Sequence, residues 1–378
     1  MIKIPRIGLI SRRGLLIGVA AISALPNTAS AWFPHGSPVS SVDTLLVPIM
    51  GDSNSGSGQF FNATYDTTRS NLYQMKHNHN FYVAQEPLDL ISMGTNEVGC
   101  TTRLCQFLID NGHVPAGVVR IIIVPCSWAG TGLSLVAGNT GYWNVAGSRQ
   151  CLDGTAGSIA NGAATGYNGL YGMINAAKAA YPNNKIWFFN WIEGANDGSW
   201  VSPGWTNAMV ALWAEVRGIY ADAVTAPILV SGIPPDKYNP QIGYQDNYHL
   251  LSEQPNIGSN VANAYYIDPT TPPVLHSYFG NAFIHYNAAS HRGGIDNSTA
   301  GPSWASGTAY TKAASFVEQT LVVASDNFIY SCIANTTGND PTTDGGVHWA
   351  QQWQMGETVA DTDCLAYRQY QALLSAGF

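Results

Sequence analysis

From Val42 onward the chain alternates continuous apolar runs with segments whose apolar residues recur every three to four positions. The first pattern predicts buried strands and the second helices packed on them, which together make an α/β sheet with parallel strands. Thr44 to Met50 is the first strand, Val118 to Val124 the second, Lys185 to Trp191 the third and Ala226 to Ser231 the fourth. Helical spacing predicts helices over Thr101 to Asn111, Gly169 to Ala180 and Ala208 to Ala221. Each strand runs into a loop rich in Gly, Ser, Asn or Asp. In open α/β sheets that edge is where ligands bind.

After about Ser303 the pattern changes. Trp304, Tyr310, Phe328, Tyr330, Trp349 and Trp353 are scattered among small polar residues, with short β-like runs at Thr320 to Ala324 and Phe328 to Ile333. This predicts a small β module over 303–355, then a helical tail over 356–378, behind a main domain over 42–300.

The first 31 residues stand apart. A basic start, an apolar run from Gly14 to Leu25 and Ala29-Ser30-Ala31 before Trp32 read as a cleaved export signal. The apolar run is shorter than the ~20 residues a membrane span needs, so no membrane anchor is expected after cleavage. Ser11-Arg12-Arg13-Gly14-Leu15-Leu16 resembles a twin-arginine signal. A secreted or periplasmic location follows.

Composition narrows the partners. The chain of 378 residues is 46% hydrophobic and 11% charged, with a formal charge of −8. The leader holds Lys3, Arg6, Arg12 and Arg13 and no acid, so the remainder is more negative still. Such a surface repels phosphate backbones, which excludes a nucleic-acid partner. Six cysteines suit an oxidising compartment. Neighbours in sequence would pair as Cys100 with Cys105, Cys126 with Cys151, and Cys332 with Cys364, the alternative being buried free thiols.

Candidate chemistry gathers on the strand-end loops. Ser53 lies between Gly51 and Gly56 directly after the first strand, where a hydroxyl reaches a cleft and glycines permit a sharp turn. A serine nucleophile needs a base and preorganised N–H donors for the oxyanion. The donors would be the Ser53 and Gly130 N–H groups and the Asn196 amide, and the base His285. His77 and His79 read as a polar loop, since no further ligand stands at metal spacing, and His291 as a structural helix residue. No metal or cofactor is required.

Gly51-Asp52-Ser53, Gly130, Gly194-Ala195-Asn196-Asp197 and the stretch from His285 to Arg292 resemble, in order, the four blocks of the SGNH/GDSL hydrolases. Within that superfamily Gly51-Asp52-Ser53-Asn54, Gln85-Glu86-Pro87-Leu88, the Pro125 to Thr131 segment and Trp191 to Asp197 are similar to the sialate O-acetylesterase and acetylxylan esterase branch. The resemblance spans roughly residues 42 to 292. It implies a flavodoxin-like three-layer α/β/α sandwich with a parallel sheet and removal of O-acetyl groups from an acylated glycan.

Two departures stand out. Glu193-Gly194-Ala195 replaces the branch's Gln-Gly-Glu, and Ala282 stands where the superfamily keeps an aspartate three residues before its histidine. His285 would then be oriented by a carbonyl, by Asn281 or by an acid such as Asp268, or else Asp246 and His249 form a rival base pair. Trp304, Tyr310, Tyr330 and Trp349 resemble the aromatics of chitin- and cellulose-binding modules, with a minidomain core as the other reading. Besides the esterase, a glycan O-acyltransferase and a carbohydrate-binding or adhesion protein on a degenerate scaffold remain open.

Overall fold

The computed structural model describes residues 42–378 apart from 57, 60, 91–96, 134–140, 148, 155–167, 194–196, 198–202, 233–251, 277–285, 287, 296–301, 313–319 and 355–357. Its centre is a mostly parallel sheet of eight strands. These are β1 (Thr44–Gly51), β2 (Leu72–Met75), β3 (Phe81–Val83), β4 (Arg120–Pro125), β5 (Asn184–Ile186), β6 (Phe189–Ile192), β7 (Ile228–Ser231) and β8 (Ala264–Ile267). Across the sheet they run β8-β7-β6-β1-β4-β2-β3, with β5 also on β1, and only the β2–β3 hairpin is antiparallel.

Strand β1 shows why this sequence makes such a sheet. All eight of its residues are buried, so both faces must be apolar. Leu46 and Met50 join Ile122, Val124 and Trp191 in one hydrophobic cluster, while Leu45, Val47 and Ile49 join Ile121 and Ile123 in a second cluster on the opposite face. The period of two sorts alternate side chains to opposite faces.

Helices cover both clusters. α2 (Gly169–Ala180) and α3 (Gly204–Ile219) seal the first. α3 begins before the predicted Ala208, because Trp205 and Met209 continue the buried stripe through Leu212, Trp213 and Val216. α1 (Thr101–Asp110), the short α4 (Ala288–Arg292) and α5 (Leu365–Ser375) lie over the second. Among the described residues no helix is long and apolar enough to cross a membrane.

The C-terminal region contains three further strands. Strands β9 (Leu321–Val323), β10 (Phe328–Cys332) and β11 (Trp349–Gln354) form an antiparallel sheet. Tyr310, Tyr330 and Trp349 are buried in its small core, with Tyr310 and Trp349 edge to face at 5.0 Å. Their rings therefore face inward, which favours the minidomain-core reading over sugar-binding platforms. A unit this small has little else to pack. Trp304 is half-buried against the same core.

Two further expectations are revised. Helix α5 is no tail: Leu365, Ala366, Tyr370 and Leu373 belong to the main core, and Gln369 Nε2 donates to Asn190 Oδ1 at 2.8 Å and to Ser231 Oγ at 2.9 Å. The main domain boundary drawn at residue 300 thus omits one of its own helices. All six cysteines are buried and none forms a disulfide. Cys332 sits in the small core and Cys364 in the main one, and burial raises the Cys100 and Cys364 thiols to about 12, which keeps them protonated and inert.

Candidate active site

The loop after β1 is shaped by one glycine. Gly51 has φ +116°, and a Cβ there would lie 2.0 Å from the Ile192 carbonyl oxygen, so only glycine lets β1 and β6 meet at their C-terminal ends. The chain is then pinned across the strands, the Asp52 N–H donating to Ile192 O at 3.0 Å. Asp52 caps a short 3₁₀ turn over Ser53–Ser55 by accepting the Asn54 N–H at 2.8 Å. Gly56 N–H closes the turn on Ser53 O at 3.1 Å.

Within this turn burial differs sharply. Asp52, Asn54 and Ser55 are 0% exposed, whereas Ser53 retains 9%. Ser53 is thus the least buried of the four. Behind it, Ser127 Oγ donates to Ser55 Oγ at 2.8 Å and Ser55 Oγ to the Met50 carbonyl at 3.3 Å, so hydroxyl groups fix the back of the turn.

The loop after β4 is tied to the same place. Trp128 N–H donates to Gly51 O at 3.1 Å, and Thr131 Oγ1 donates to Trp128 O at 2.8 Å. Trp143 Nε1 in turn donates to Thr131 Oγ1 at 3.0 Å. Gly130, half-buried between these anchors, has φ +74°, a left-handed conformation that glycine adopts without penalty. Nothing in the sequence marked Thr131 and Trp143 as partners, since a Thr and a Trp twelve positions apart carry no local signal.

The loop after β6 joins the first two through acids. Glu193 and Asp197 are both 0% exposed, and Leu133 N–H from the β4 loop donates to Asp197 Oδ2 at 2.9 Å. Gln254 Nε2 holds the Glu193 carbonyl at 2.7 Å. Burial, then the neighbouring Asp197 and Asp52, pushes the Glu193 carboxyl well above the usual range.

Asn196, Asp246, His249, Asn281, Ala282 and His285 lie outside the described residues. Of their immediate chain neighbours, Asp197 and Tyr286 are described. Tyr286, which follows His285, donates its hydroxyl to Gly232 O at 2.9 Å, just past the end of β7, and stacks edge to face on His291 at 5.3 Å. Asp268 accepts from Thr270 N–H at 2.8 Å, Thr270 Oγ1 at 2.6 Å and Thr271 Oγ1 at 2.9 Å. Burial raises its pKa, but these bonds win and hold the carboxyl below the usual range, so Asp268 serves its own turn. His77 pairs with Asp89 at 3.3 Å, and His79 occupies a left-handed position, φ +62°, in the β2–β3 turn.

A polar cluster that the sequence did not reveal flanks the nucleophile turn, where a Cβ on Gly99 would strike Ser55 O at 2.3 Å. Its cavity is lined by Asp66, Glu86, Gly99, Thr102 and Arg292 among others. Arg292 Nε meets Asp66 Oδ1 at 2.7 Å with both side chains almost fully buried. Glu86 accepts from Thr102 Oγ1 at 2.7 Å, and burial raises its pKa to about 7.

No protein-family profile and no curated protein matches the chain. Among solved structures it is similar to NanS, at 14% identity over 62% of this chain and 80% of that one, with a TM-score of 0.43. A protein from Arabidopsis thaliana is similar at 14% identity over 65% of this chain and 91% of that one, with a TM-score of 0.45. A carbohydrate acetylesterase from Xanthomonas citri follows at 14% identity, 59% and 49% coverage and a TM-score of 0.35. Likenesses at that identity and those scores assign this chain no activity.

Proposed function

We propose that the protein is an exported serine esterase that removes acetyl or other small acyl groups from carbohydrate, with Ser53 as its nucleophile. The observation that carries this reading is the Ser53 turn: a serine that is the least buried residue of a cross-pinned turn at the C-terminal edge of the central strand. Rigid placement of that kind is what a nucleophile requires.

In this mechanism Ser53 Oγ forms a bond to the acyl carbon while His285 takes its proton. The charge on the carbonyl oxygen is met by the Ser53 and Gly130 N–H groups and the Asn196 amide. Collapse breaks the ester bond, His285 returns the proton to the departing sugar hydroxyl, and water then releases the acid from Ser53 by the same steps in reverse. With alanine at 282, the imidazole is oriented by a main-chain carbonyl or a more distant acid. The anchoring of Tyr286 at the sheet edge favours His285 over the Asp246/His249 pair.

The test is p-nitrophenyl acetate turnover by protein beginning at Trp32. Ser53→Ala lowers kcat by ~10⁶ with the fold intact, as loss of a triad nucleophile does elsewhere. His285→Ala abolishes turnover and His249→Ala keeps most of it; the reverse pattern hands the base to His249. Near-normal turnover by Ser53→Ala refutes the assignment.

A further inference from the structure

The loop after β4 reaches the nucleophile turn through a single hydroxyl. Thr131 is fully buried, and its Oγ1 lies 2.8 Å from the Trp128 carbonyl oxygen and 3.2 Å from the Gly51 carbonyl oxygen. A third neighbour is the Trp143 indole, whose Nε1 lies 3.0 Å away. An indole N–H only donates and a carbonyl only accepts, so chemistry fixes the direction of these three bonds. The hydroxyl accepts the indole N–H on a lone pair and directs its own proton between the two carbonyls.

Each contact belongs to a different part of the sheet edge. Gly51 stands two residues before Ser53, and its carbonyl also receives the Trp128 N–H at 3.1 Å. Trp128 stands two residues before Gly130, so the bond from Thr131 back to Trp128 O closes a turn around Ala129 and Gly130, where Gly130 has its φ of +74°. Trp143 is itself held twice: its backbone N–H donates to Gly132 O at 2.9 Å, and its ring meets Trp191 of β6 edge to face at 5.4 Å. One oxygen atom thus ties together the ends of β1, β4 and β6.

Packing alone does not call for a hydroxyl here. Trp128, Leu133, Trp143, Cys151 and Trp191 around it belong to one hydrophobic cluster, in which a valine of nearly the same shape would bury no polar group.

Resting on the esterase reading, we infer that Thr131 is a positioning residue: its hydroxyl, oriented by the Trp143 indole, sets the spacing between Ser53 and the Gly130 N–H that meets the oxyanion. Being fully buried, it is out of reach of substrate and acts through Gly51 and Trp128. Oxyanion donors work by their placement toward charge that develops only in the transition state, so loss of this hydroxyl falls on kcat and not on KM.

Thr131→Val removes the hydroxyl at nearly constant shape, and Thr131→Ser keeps it without the methyl group. With p-nitrophenyl acetate at pH 7, kcat in Thr131→Val falls on the order of a hundredfold, a loss typical of a misplaced oxyanion donor, with KM within about twofold of wild type. In Thr131→Ser kcat stays within about threefold. A Thr131→Val protein with wild-type kcat, or a change confined to KM, overturns the inference. So does a loss in Thr131→Ser as large as that in Thr131→Val, which would assign the effect to the methyl group. Should Thr131→Val fail to fold, Trp143→Phe decides: it keeps a ring beside Trp191 and removes only the donor that orients the hydroxyl, so kcat falls about tenfold with KM unchanged, and full kcat overturns the inference.

Amide hydrogen exchange separates this inference from the reading beneath it. The Trp128 N–H, bonded to Gly51 O, exchanges about tenfold faster in Thr131→Val and at the wild-type rate in Thr131→Ser. A wild type without turnover refutes the esterase reading, and the exchange arm still decides whether this hydroxyl joins the two loops: unchanged exchange in Thr131→Val overturns that.

Discussion

Arg292 closes the short helix that follows the His285 segment, and its guanidinium is bound to Asp66 in full burial. The pair's side chains are 1% and 2% exposed, with Nε to Oδ1 at 2.7 Å. Arg292 also donates to Gly293 O at 2.8 Å and lies over the Tyr65 ring at 5.1 Å, while Asp66 Oδ2 accepts Asn62 N–H at 2.6 Å. Burial outweighs the arginine in setting the Asp66 pKa, which stays above the usual value, so attraction does not fully offset desolvation. Each single substitution should therefore be costly, because it leaves one buried charge without its counter-ion. Arg292→Met and Asp66→Asn are each expected to lose about 3–5 kcal/mol. The double variant leaves no stranded charge and should lose far less than the sum of the singles. Urea denaturation at pH 7 measures all three, and the single costs should barely change between low and high salt, because buried pairs are poorly screened. Single costs below about 1 kcal/mol, the value of an exposed pair, would refute the reasoning, as would additive losses in the double variant.

Two further outcomes follow from the same packing. Glu86, raised to about 7 by burial, stabilises the fold fully below its unfolded value of 4.5 and loses that contribution as pH rises through 7; wild type should fall by about 3 kcal/mol relative to Glu86→Gln over this window in pH-resolved unfolding, and a constant difference would count against it. Gly51→Ala forces a Cβ to 2.0 Å from the Ile192 carbonyl at a φ that side chains avoid, so it should cost about 3 kcal/mol and depress turnover, whereas Gly112→Ala, at another positive φ but meeting nothing within 4 Å, should cost clearly less by thermal unfolding.

Much of the scaffold was legible in the residues. Runs such as Thr44 to Met50 are apolar on both faces, which only a strand buried between two layers tolerates, and Ser53 stands at the end of the most central of them. Short strands escaped notice: β2 is four residues long and alternates too briefly to stand out. Burial of single groups escaped too, because it is a property of the packed chain. Tyr330 and Trp349 read the same in sequence whether they face a sugar or a core, and the six cysteines the same whether bridged or free. The Asp66–Arg292 pair joins residues more than two hundred positions apart, and Glu193 and Asp197 look like part of an ordinary acidic loop until both are found at 0% exposure.

The central claim is that Ser53 becomes covalently acylated. It is tested most directly by mixing the protein with p-nitrophenyl acetate, quenching in acid within milliseconds and mapping peptides by mass spectrometry. An acetyl group on the peptide containing Ser53, absent from Ser53→Ala, is the predicted result. Acetylation only elsewhere, or turnover with no adduct and full activity in Ser53→Ala, would contradict it.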